Sequence, residues 1–354
     1  MTTGEKTISS SEKQIKQSEK PAPGSLIMSG MRTTAALHLG NYHGALKQWL
    51  ELQKDYMGFY GAMNWHAMTS HYKTPHEVMN FTRIIIAEWL AWGLDPERNV
   101  IFVQSEVPEH VELTMFFQMM TPMSWLERVP TWKDAEAEAK ANDTHNLGRF
   151  MYPVLQAADI AVYRGTHVPI GQDQIPHLEL SRDIVRRFNF LYGGNLPEPK
   201  PIFSSTPTLI GTDGRKMSKS YNNAFALTQE PDEITKTLRA MPTDPARVRR
   251  EDPGEPTKCP VYGFHKLYSN AEDLAWVETG CRSASIGCGD CKKKLGDNIN
   301  AAMMGPREIK KTLLNDGDKL DIIIADGCER ARNEAGRQME QVRDWTGFKA
   351  SADW

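Results

Sequence analysis

Short apolar runs and amphipathic stretches alternate in the first part of the chain. Residues 26–28, 59–63 and 100–103 are largely apolar runs next to turn residues, which is the pattern of buried strands. Residues 42–53 carry apolar side chains at helical spacing, and residues 75–90 form a second helical stretch. Because strands and helices alternate, the pattern predicts an α/β fold with a parallel sheet.

The rest of the chain is predicted to be mostly helical. Residues 104–190 have a largely helical pattern, and residues 199–212 form an irregular connection. From residue 231 to the end we predict helices, interrupted by the Pro-, Gly- and Arg-containing stretch 241–260. No internal repeat is visible.

These patterns divide the chain into three parts. Residues 1–24 are rich in Ser, Thr, Lys, Gln and Glu and offer little apolar surface to bury, so we predict a disordered extension. Residues 25–221 form the α/β domain, with a helical insertion at about 104–190. Residues 222–354 form an all-helical domain.

Composition is that of a globular protein rather than a disordered or fibrous one. The 354 residues are 40% hydrophobic and 25% charged, and 42 basic residues face 45 acidic ones. A nucleic-acid partner must therefore be met by local basic patches. The most apolar stretch, residues 84–94, is broken by Glu88 and is too short to span a membrane. Five cysteines and the absence of an apolar leader in residues 1–23 predict a cytoplasmic, reducing location.

The segment after the first predicted strand suits a phosphate group. His38, Gly40 and Asn41 stand at the start of a predicted helix, where unpaired amides and the positive end of the helix dipole attract anions. Gly40 lets a ligand approach the backbone, so a bulky side chain there should block it. Taken alone, the segment also fits an ordinary capped helix.

A second segment adds positive charge. Residues 214–220 carry Lys216 and Lys219 on a loop that contains Ser and Gly, which is suited to following charge onto a departing pyrophosphate. By itself this stretch could be a solvated basic loop. The two segments in this order and at this separation form a more specific pattern.

Together they resemble the two signatures of class I aminoacyl-tRNA synthetases, His-Ile-Gly-His and Lys-Met-Ser-Lys-Ser. The second signature is present letter for letter, whereas Asn41 stands where the first has its second histidine. This variant is similar to that of the bacterial tryptophanyl-tRNA synthetases. The resemblance covers essentially everything after residue 25 and is clearest over residues 29–32, 152–160, 168–174 and 177–180.

This resemblance implies a Rossmann-like catalytic domain, a homodimer formed through the helical insertion, and a C-terminal domain that binds the anticodon. It implies two reactions. L-Tryptophan and ATP, with Mg²⁺ on the phosphates, give tryptophanyl-adenylate and pyrophosphate; tryptophan then passes to the 3′ end of tRNA(Trp), and AMP is released. Alternatives are a tyrosyl-tRNA synthetase, an inactive regulatory paralogue and a nucleotidyltransferase that does not use tRNA.

The substrate site of such an enzyme needs a buried acceptor, because the indole N–H is only a donor. Asp159 lies in an otherwise apolar helical turn, where an unpaired carboxylate would be costly, so we expect it to have a partner and to accept from the indole. A capping or surface Asp is the alternative. By resemblance, the other tryptophan-binding residues are Gly30, His66, Tyr152, Gln156 and Gln174. A satisfied core histidine is an alternative for His66.

The resemblance also assigns ATP binding and catalysis. The catalytic residues it implies are His38, Gly40, Asn41, Lys216 and Lys219. The ATP-binding residues it implies are Arg32, Thr33, Thr34, Gly40, Asn41, Gly171, Gln172, Asp173, Lys216, Met217, Ser218, Lys219 and Ser220. Within this set, Gly171 and Asp173 are expected at the ribose, and a simple turn before the next helix is the alternative.

Four of the five cysteines cluster within the C-terminal domain. Cys259, Cys281, Cys288 and Cys291 supply four thiolates, enough for tetrahedral zinc or a 4Fe–4S cluster, and spacing does not choose between them. Unconnected thiols and a redox Cys-x-x-Cys pair are the alternatives. Cys328, remote in sequence, is predicted to be a lone helical thiol.

A further resemblance bears on these cysteines. Residues 243–250 and 285–293 resemble a subset of bacterial tryptophanyl-tRNA synthetases that carries a 4Fe–4S cluster, which implies the cluster here, with zinc as the alternative. The nearby basic residues form a candidate tRNA patch, or merely a solvated face. They are Arg247, Arg249, Arg250, Lys292, Lys293 and Lys294.

Overall fold

A parallel five-stranded sheet forms the centre of the computed structural model, with strand order β3-β2-β1-β4-β5. The structure describes residues 20–130, 132, 145–203, 210–215, 217 and 223–349. The strands are β1 (Ile27–Arg32), β2 (Gly58–Met63), β3 (Val100–Val103), β4 (His167–Ile170) and β5 (Lys200–Phe203). The predicted α/β class is confirmed, and the order reverses between β1 and β4, where ligands bind in such sheets.

Helices surround the sheet. The first, α1, consists of Leu39–Asn41, a π-helical turn Tyr42–Leu46, and Lys47–Leu52. Those that follow up to β5 are α2 (Asn64–His71), α3 (Pro75–Ala91), α4 (Glu109–Met120), α5 (Met123–Glu127), α6 (Leu147–Ala161) and α7 (Ile175–Tyr192). The C-terminal helices are α8 (Pro231–Ala240), α9 (Pro260–Tyr268), α10 (Ala271–Arg282), α11 (Cys288–Asn315) and α12 (Gly317–Thr346).

The first three predicted strands and the helices around residues 42–53 and 75–90 are confirmed. The periodicity of α1 buries Leu46 and Trp49 completely. The predicted series of helices after residue 231 is also confirmed, with the interruption between α8 and α9.

Two strands were missed. β4 lies inside the stretch 104–190 that was predicted to be helical, and β5 lies in the supposed irregular connection 199–212. Each is four residues long and contains a proline, Pro169 or Pro201, which cannot donate to a ladder and argues against a strand. β5 is at the sheet edge, where proline is tolerated, and β4 pairs in register with it.

The long helix α12 covers the outer edge of β3. Cys328 is buried, and its Sγ accepts the Val103 amide at 3.3 Å. At Gly327 the helix lies directly on the backbone of Ile101, where a Cβ atom would overlap the carbonyl oxygen. The C-terminal part thus shields a strand edge that would otherwise be open to pairing.

The predicted N-terminal extension lies mostly outside the described residues, since the description begins at residue 20. In the described part, the carbonyl of Pro21 accepts from the Tyr56 hydroxyl at 2.7 Å. Disorder of residues 1–24 stays a prediction.

Within the described ranges, every helix is too short or too polar to cross a membrane.

A buried histidine makes stability depend on pH. Burial, with Lys47 nearby, lowers the pKa of His43 to about 4, and its Nε2 lies 3.0 Å from the Tyr268 hydroxyl. The unfolded chain, with an ordinary histidine pKa, takes up a proton first as pH falls. We therefore expect the free energy of unfolding to fall by up to about 3 kcal/mol between pH 6.5 and 4 because of this group.

Chemical denaturation of wild type and His43→Gln across that pH range checks the prediction. Both proteins contain every other titrating group, so the difference between the two curves isolates His43. The variant should lose less stability than wild type on acidification. Parallel curves would show that His43 does not contribute.

Candidate active site

A cavity of about 490 Å³ opens at the carboxyl ends of β1 and β4, within the size range of small-molecule sites. All six predicted tryptophan-binding residues line it, although they come from β1, α2, α6 and the segment after β4. They are Gly30, His66, Tyr152, Gln156, Asp159 and Gln174. Gly30 has a packing reason as well, because a Cβ atom there would lie 2.8 Å from the carbonyl oxygen of Gly61 on β2.

Only some of the predicted ATP-binding residues line this cavity. Arg32 and Gly171 line the same cavity. Thr33 is completely buried, and its hydroxyl has no partner in the described part of the chain. Thr34, Gln172 and Asp173 do not line the cavity; the Asp173 carboxylate accepts from the Gln174 side-chain amide at 2.9 Å.

Asp159 is the polar centre of the cavity floor. It is 3% exposed, and its carboxylate accepts from three side chains. Gln104 Nε2 and His110 Nδ1 donate to Oδ1 at 2.8 and 2.7 Å, and His66 Nε2 donates to Oδ2 at 2.7 Å. The expectation that this carboxylate has partners is confirmed.

The network holds Asp159 in its charged form. Burial alone raises the pKa of the carboxyl, but His66 and the hydrogen bonds from His110 and His66 outweigh it, so the pKa lies well below its usual range. A carboxylate has about four lone pairs. The hydrogen bonds among the described residues occupy two on Oδ1 and one on Oδ2, which leaves Oδ2 with capacity for one more donor.

The hydrogen-bond network around Asp159 continues through His110 to Tyr163. Its hydroxyl lies 2.7 Å from His110 Nε2, and burial raises its pKa well above the usual value, so the phenol keeps its proton. Nδ1–H of His110 donates to Asp159, because a carboxylate only accepts, and Nε2 of a neutral imidazole then accepts from the Tyr163 hydroxyl. The tautomer follows from the partners on each side.

Sequence reasoning missed this support. Gln104 follows β3, His110 is on α4, and Tyr163 follows α6, so the three come together only in the fold. Gln104 is fixed in turn, because its Oε1 accepts the amides of Trp65 at 3.1 Å and His66 at 3.4 Å. Buried polar residues in apolar stretches were the available signal. Thr69 and Arg149 also line the cavity and were not predicted.

At the start of α1, His38 and Asn41 cap the helix reciprocally. The His38 amide donates to Asn41 Oδ1 at 3.0 Å, and the Asn41 amide donates to His38 Nδ1 at 3.3 Å. The bond to the His38 ring comes from the Asn41 backbone amide, which any residue at this position would supply, whereas the Asn41 side chain, the departure from the usual signature, holds the His38 backbone. A Cβ atom at Gly40 would lie 2.7 Å from Cε1 of this ring and 3.4 Å from Met217 Sδ.

Met217 thus places part of the second signature beside the first. Lys216, Ser218, Lys219 and Ser220 lie outside the described residues, and their roles stay predictions. The chain just beyond them pairs with the first signature. Leu39 donates to the carbonyl of Phe225 at 3.0 Å, and Leu227 donates to that of Leu37 at 2.8 Å.

The four clustered cysteines belong to the C-terminal helices. Cys259 precedes α9, Cys281 is in the last turn of α10, and Cys288 and Cys291 are in the first turn of α11; all are free thiols. Burial, followed by the other three cysteines, raises the pKa of Cys291 to about 12. Within the described ranges, no three or more His, Cys, Asp or Glu side chains are arranged so as to hold a metal ion.

Comparison with known proteins agrees with this geometry. Residues 23–303 match the family described as tRNA synthetases class I (W and Y). The chain is 46% identical to the tryptophan–tRNA ligase of Thermotoga maritima, over 90% of this chain and 97% of that relative. It is 38% identical to that of Ralstonia nicotianae, over 92% of this chain and 99% of the relative.

A solved structure extends the likeness to three dimensions. The tryptophanyl-tRNA synthetase from Campylobacter jejuni, complexed with ADP and tryptophan, is similar with a TM-score of 0.85 and 32% sequence identity. The match covers 91% of this chain and 99% of that chain. The chain therefore belongs to the class I aminoacyl-tRNA synthetases and, within them, to the tryptophan–tRNA ligase family.

Proposed function

We propose that this protein joins L-tryptophan to tRNA(Trp) at the expense of ATP. The observation that carries the proposal is the Asp159 carboxylate, buried in the floor of a cavity and held charged, with Oδ2 able to accept one more hydrogen bond. An indole N–H is a donor only and matches that acceptor. The cavity lies at the sheet's topological switch point, where the strand order favours a nucleotide beside the amino acid.

The first step needs no general base, because the tryptophan carboxylate is already ionised. Its oxygen attacks the α-phosphorus of ATP, an O–P bond forms, and pyrophosphate leaves with the electron pair of the bond that breaks. Catalysis is then positioning and charge stabilisation. We propose that the negative charge developing on pyrophosphate is stabilised by His38 with the α1 N-terminus, and by Lys216 and Lys219. Mg²⁺ bound to the phosphates supplies further neutralisation.

In the second step, a hydroxyl of the terminal tRNA adenosine attacks the tryptophanyl carbonyl: an ester bond forms, the bond from the carbonyl carbon to the phosphate oxygen breaks, AMP leaves with its electron pair, and the hydroxyl proton is released. We assign anticodon binding to the C-terminal helices. Of the six basic residues of the candidate patch, Arg249, Arg250 and Lys293 are exposed and support this assignment, whereas Arg247 is buried and does not belong to an exposed patch. We place the reaction in the cytoplasm, since all five cysteines are free thiols, as expected in a reducing compartment.

The test is exchange of labelled pyrophosphate into ATP, run separately with each of the twenty amino acids on anaerobically purified protein, followed by charging of tRNA(Trp). Exchange with tryptophan alone, and charging that requires it, would support the proposal. Exchange with tyrosine would move the specificity away from Asp159. Absence of exchange, with and without tRNA, would favour an inactive paralogue.

We also propose that the chain works as a homodimer. The segment 104–190 exposes large apolar side chains, among them Met119 and Met123, which are 74% and 67% exposed. Apolar surface of this kind marks an interaction site. Multi-angle light scattering should give twice the chain mass of 40.0 kDa, whereas the single mass would contradict the dimer.

We further propose that the four cysteines close around a 4Fe–4S cluster, with zinc as the alternative, although the described residues show no arrangement that already forms a metal site. Arg247 supports an anionic centre at this place: it is 8% exposed, its NH1 lies 3.8 Å from Cys281 Sγ, and among the described residues its NH2 donates to the uncharged backbone carbonyls of Arg250 and Ile286. A buried cation calls for a counter-charge. Thiolates bound to a metal centre provide one, and either metal suits four soft ligands.

For Cys288→Ser we expect anaerobically purified protein to lose the brown absorbance and most of the iron of wild type, because one of four ligands is gone. Visible absorbance, together with metal and sulfide analysis, measures this loss. Cys328→Ser is the control, since this thiol lies against β3 and should leave the colour unchanged. A colourless wild type with stoichiometric zinc would contradict the cluster.

A further inference from the structure

Glu88 is a completely buried carboxylate that the reaction scheme does not use. It lies on α3 and is bonded to three separate parts of the chain. Oε2 accepts the Leu37 amide at 2.9 Å, and Oε1 accepts from the Thr228 hydroxyl at 3.2 Å and from Lys310 Nζ at 2.8 Å. Lys310 also donates to the Thr228 hydroxyl at 2.8 Å. We call these four residues the Glu88 clasp.

The members of the clasp are placed at functional junctions. Leu37 immediately precedes His38, whose ring sits at the start of α1. Thr228 follows the stretch that pairs with residues 37–39 and that comes just after the second signature. Lys310 belongs to α11, the helix that begins with the Cys-x-x-Cys pair and packs on α3 and α8. One carboxylate therefore joins both signature regions to the C-terminal helices.

Stability alone does not account for such a group. A buried ion pair is often no more stabilising than apolar side chains of similar size, because both charges must leave water. The Lys310 side chain is 19% exposed and that of Glu88 is 0% exposed, so most of this cost is present here. What apolar side chains cannot provide is an acceptor for the Leu37 amide and a fixed direction for the backbone that leads into His38.

We propose that Glu88 and Lys310 are positioning residues for the ATP site, acting through Leu37 and Thr228 on the two signature regions. This rests on the proposed role of the α1 N-terminus in binding ATP. The clasp holds the first signature against the stretch after the second and ties both to α11. It does not reach Asp159, so tryptophan binding is expected to be independent of it.

Two double variants separate the acceptor from the charge pair. Glu88→Gln with Lys310→Met removes both charges but keeps an acceptor for the Leu37 amide. Glu88→Leu with Lys310→Met removes both charges and the acceptor. In pyrophosphate exchange we expect the Gln variant to keep its KM for ATP within about threefold of wild type. For the Leu variant we expect that KM to rise about tenfold or more, with KM for tryptophan within about threefold.

Melting temperatures of all proteins are measured alongside, because a purely structural role would change both KM values, or neither, in proportion to stability. An unchanged KM for ATP in a folded Leu variant would overturn the proposal. If that variant does not fold, Thr228→Val decides. It removes one hydroxyl from the clasp, and we expect KM for ATP to rise about threefold or more; no rise overturns the proposal.

The wild-type control separates the two levels of inference. Wild-type protein without tryptophan-dependent exchange would defeat the proposed function itself. An active wild type, together with clasp variants whose KM for ATP is unchanged, would contradict only the positioning role.

Discussion

Asp159→Asn is expected to lower kcat/KM for tryptophan in pyrophosphate exchange by roughly 100-fold, with KM for ATP within about threefold of wild type. The variant replaces a charged acceptor, and charge-assisted hydrogen bonds contribute roughly 1.5–3 kcal/mol each. It also presents an NH₂ group toward a donor, either the indole or one of His66, His110 and Gln104. Recognition by a buried hydrogen bond is lost, while the phosphate side of the site is unchanged.

Steady-state exchange at varied tryptophan and ATP measures both constants. Asp183→Asn is a matched control, because it neutralises a carboxylate on the exposed face of α7 and should leave both unchanged. Thermal unfolding of each variant shows whether the fold persists. Wild-type kcat/KM for tryptophan in a folded Asp159→Asn protein would remove Asp159 as the specificity residue.

The sequence could indicate Asp159 because burying a lone acidic residue among Leu155, Ala157, Ala158 and Ile160 costs free energy unless its carboxylate has a partner. It could not identify the donors around it. Each is separated from Asp159 by dozens of residues in the chain or lies on another element, and only the packing of the sheet against its helices brings them together. The local sequence pattern indicates that this carboxylate needs a partner, but it does not show which residue the partner is.

The same limit applies to Glu88. In sequence it is a charged residue that interrupts an apolar stretch, and that interruption served only to exclude a membrane span. Its hydrogen-bonding partners Leu37, Thr228 and Lys310 are separated from it in the chain by 51, 140 and 222 positions, respectively. Long-range contacts of this kind leave no periodic trace, whereas the strands β1 to β3 and helix α3 do.

Glycines show the contrast most clearly, because a sequence shows where a glycine stands but not what it touches. Gly327 and Gly336 are both in the interior of α12. At Gly327 a Cβ atom would overlap the carbonyl oxygen of Ile101 on β3 and lie 2.8 Å from its carbonyl carbon. At Gly336 nothing lies within 4 Å of a Cβ atom. Helix propensity alone treats the two positions alike.

We therefore expect Gly327→Ala to lower the free energy of unfolding by about 3 kcal/mol or more, because the clash is with backbone and no side chain can move to relieve it. The helix must shift away from β3, which also weakens the hydrogen bond from Val103 to Cys328. Gly336→Ala should instead raise the free energy of unfolding by up to about 1 kcal/mol, since alanine favours the helix and meets no neighbour. Urea denaturation of the two variants and wild type measures both changes. Opposite signs at two glycines of one helix would locate the contact at Ile101, whereas equal stabilisation would show that α12 does not lie on the β3 backbone.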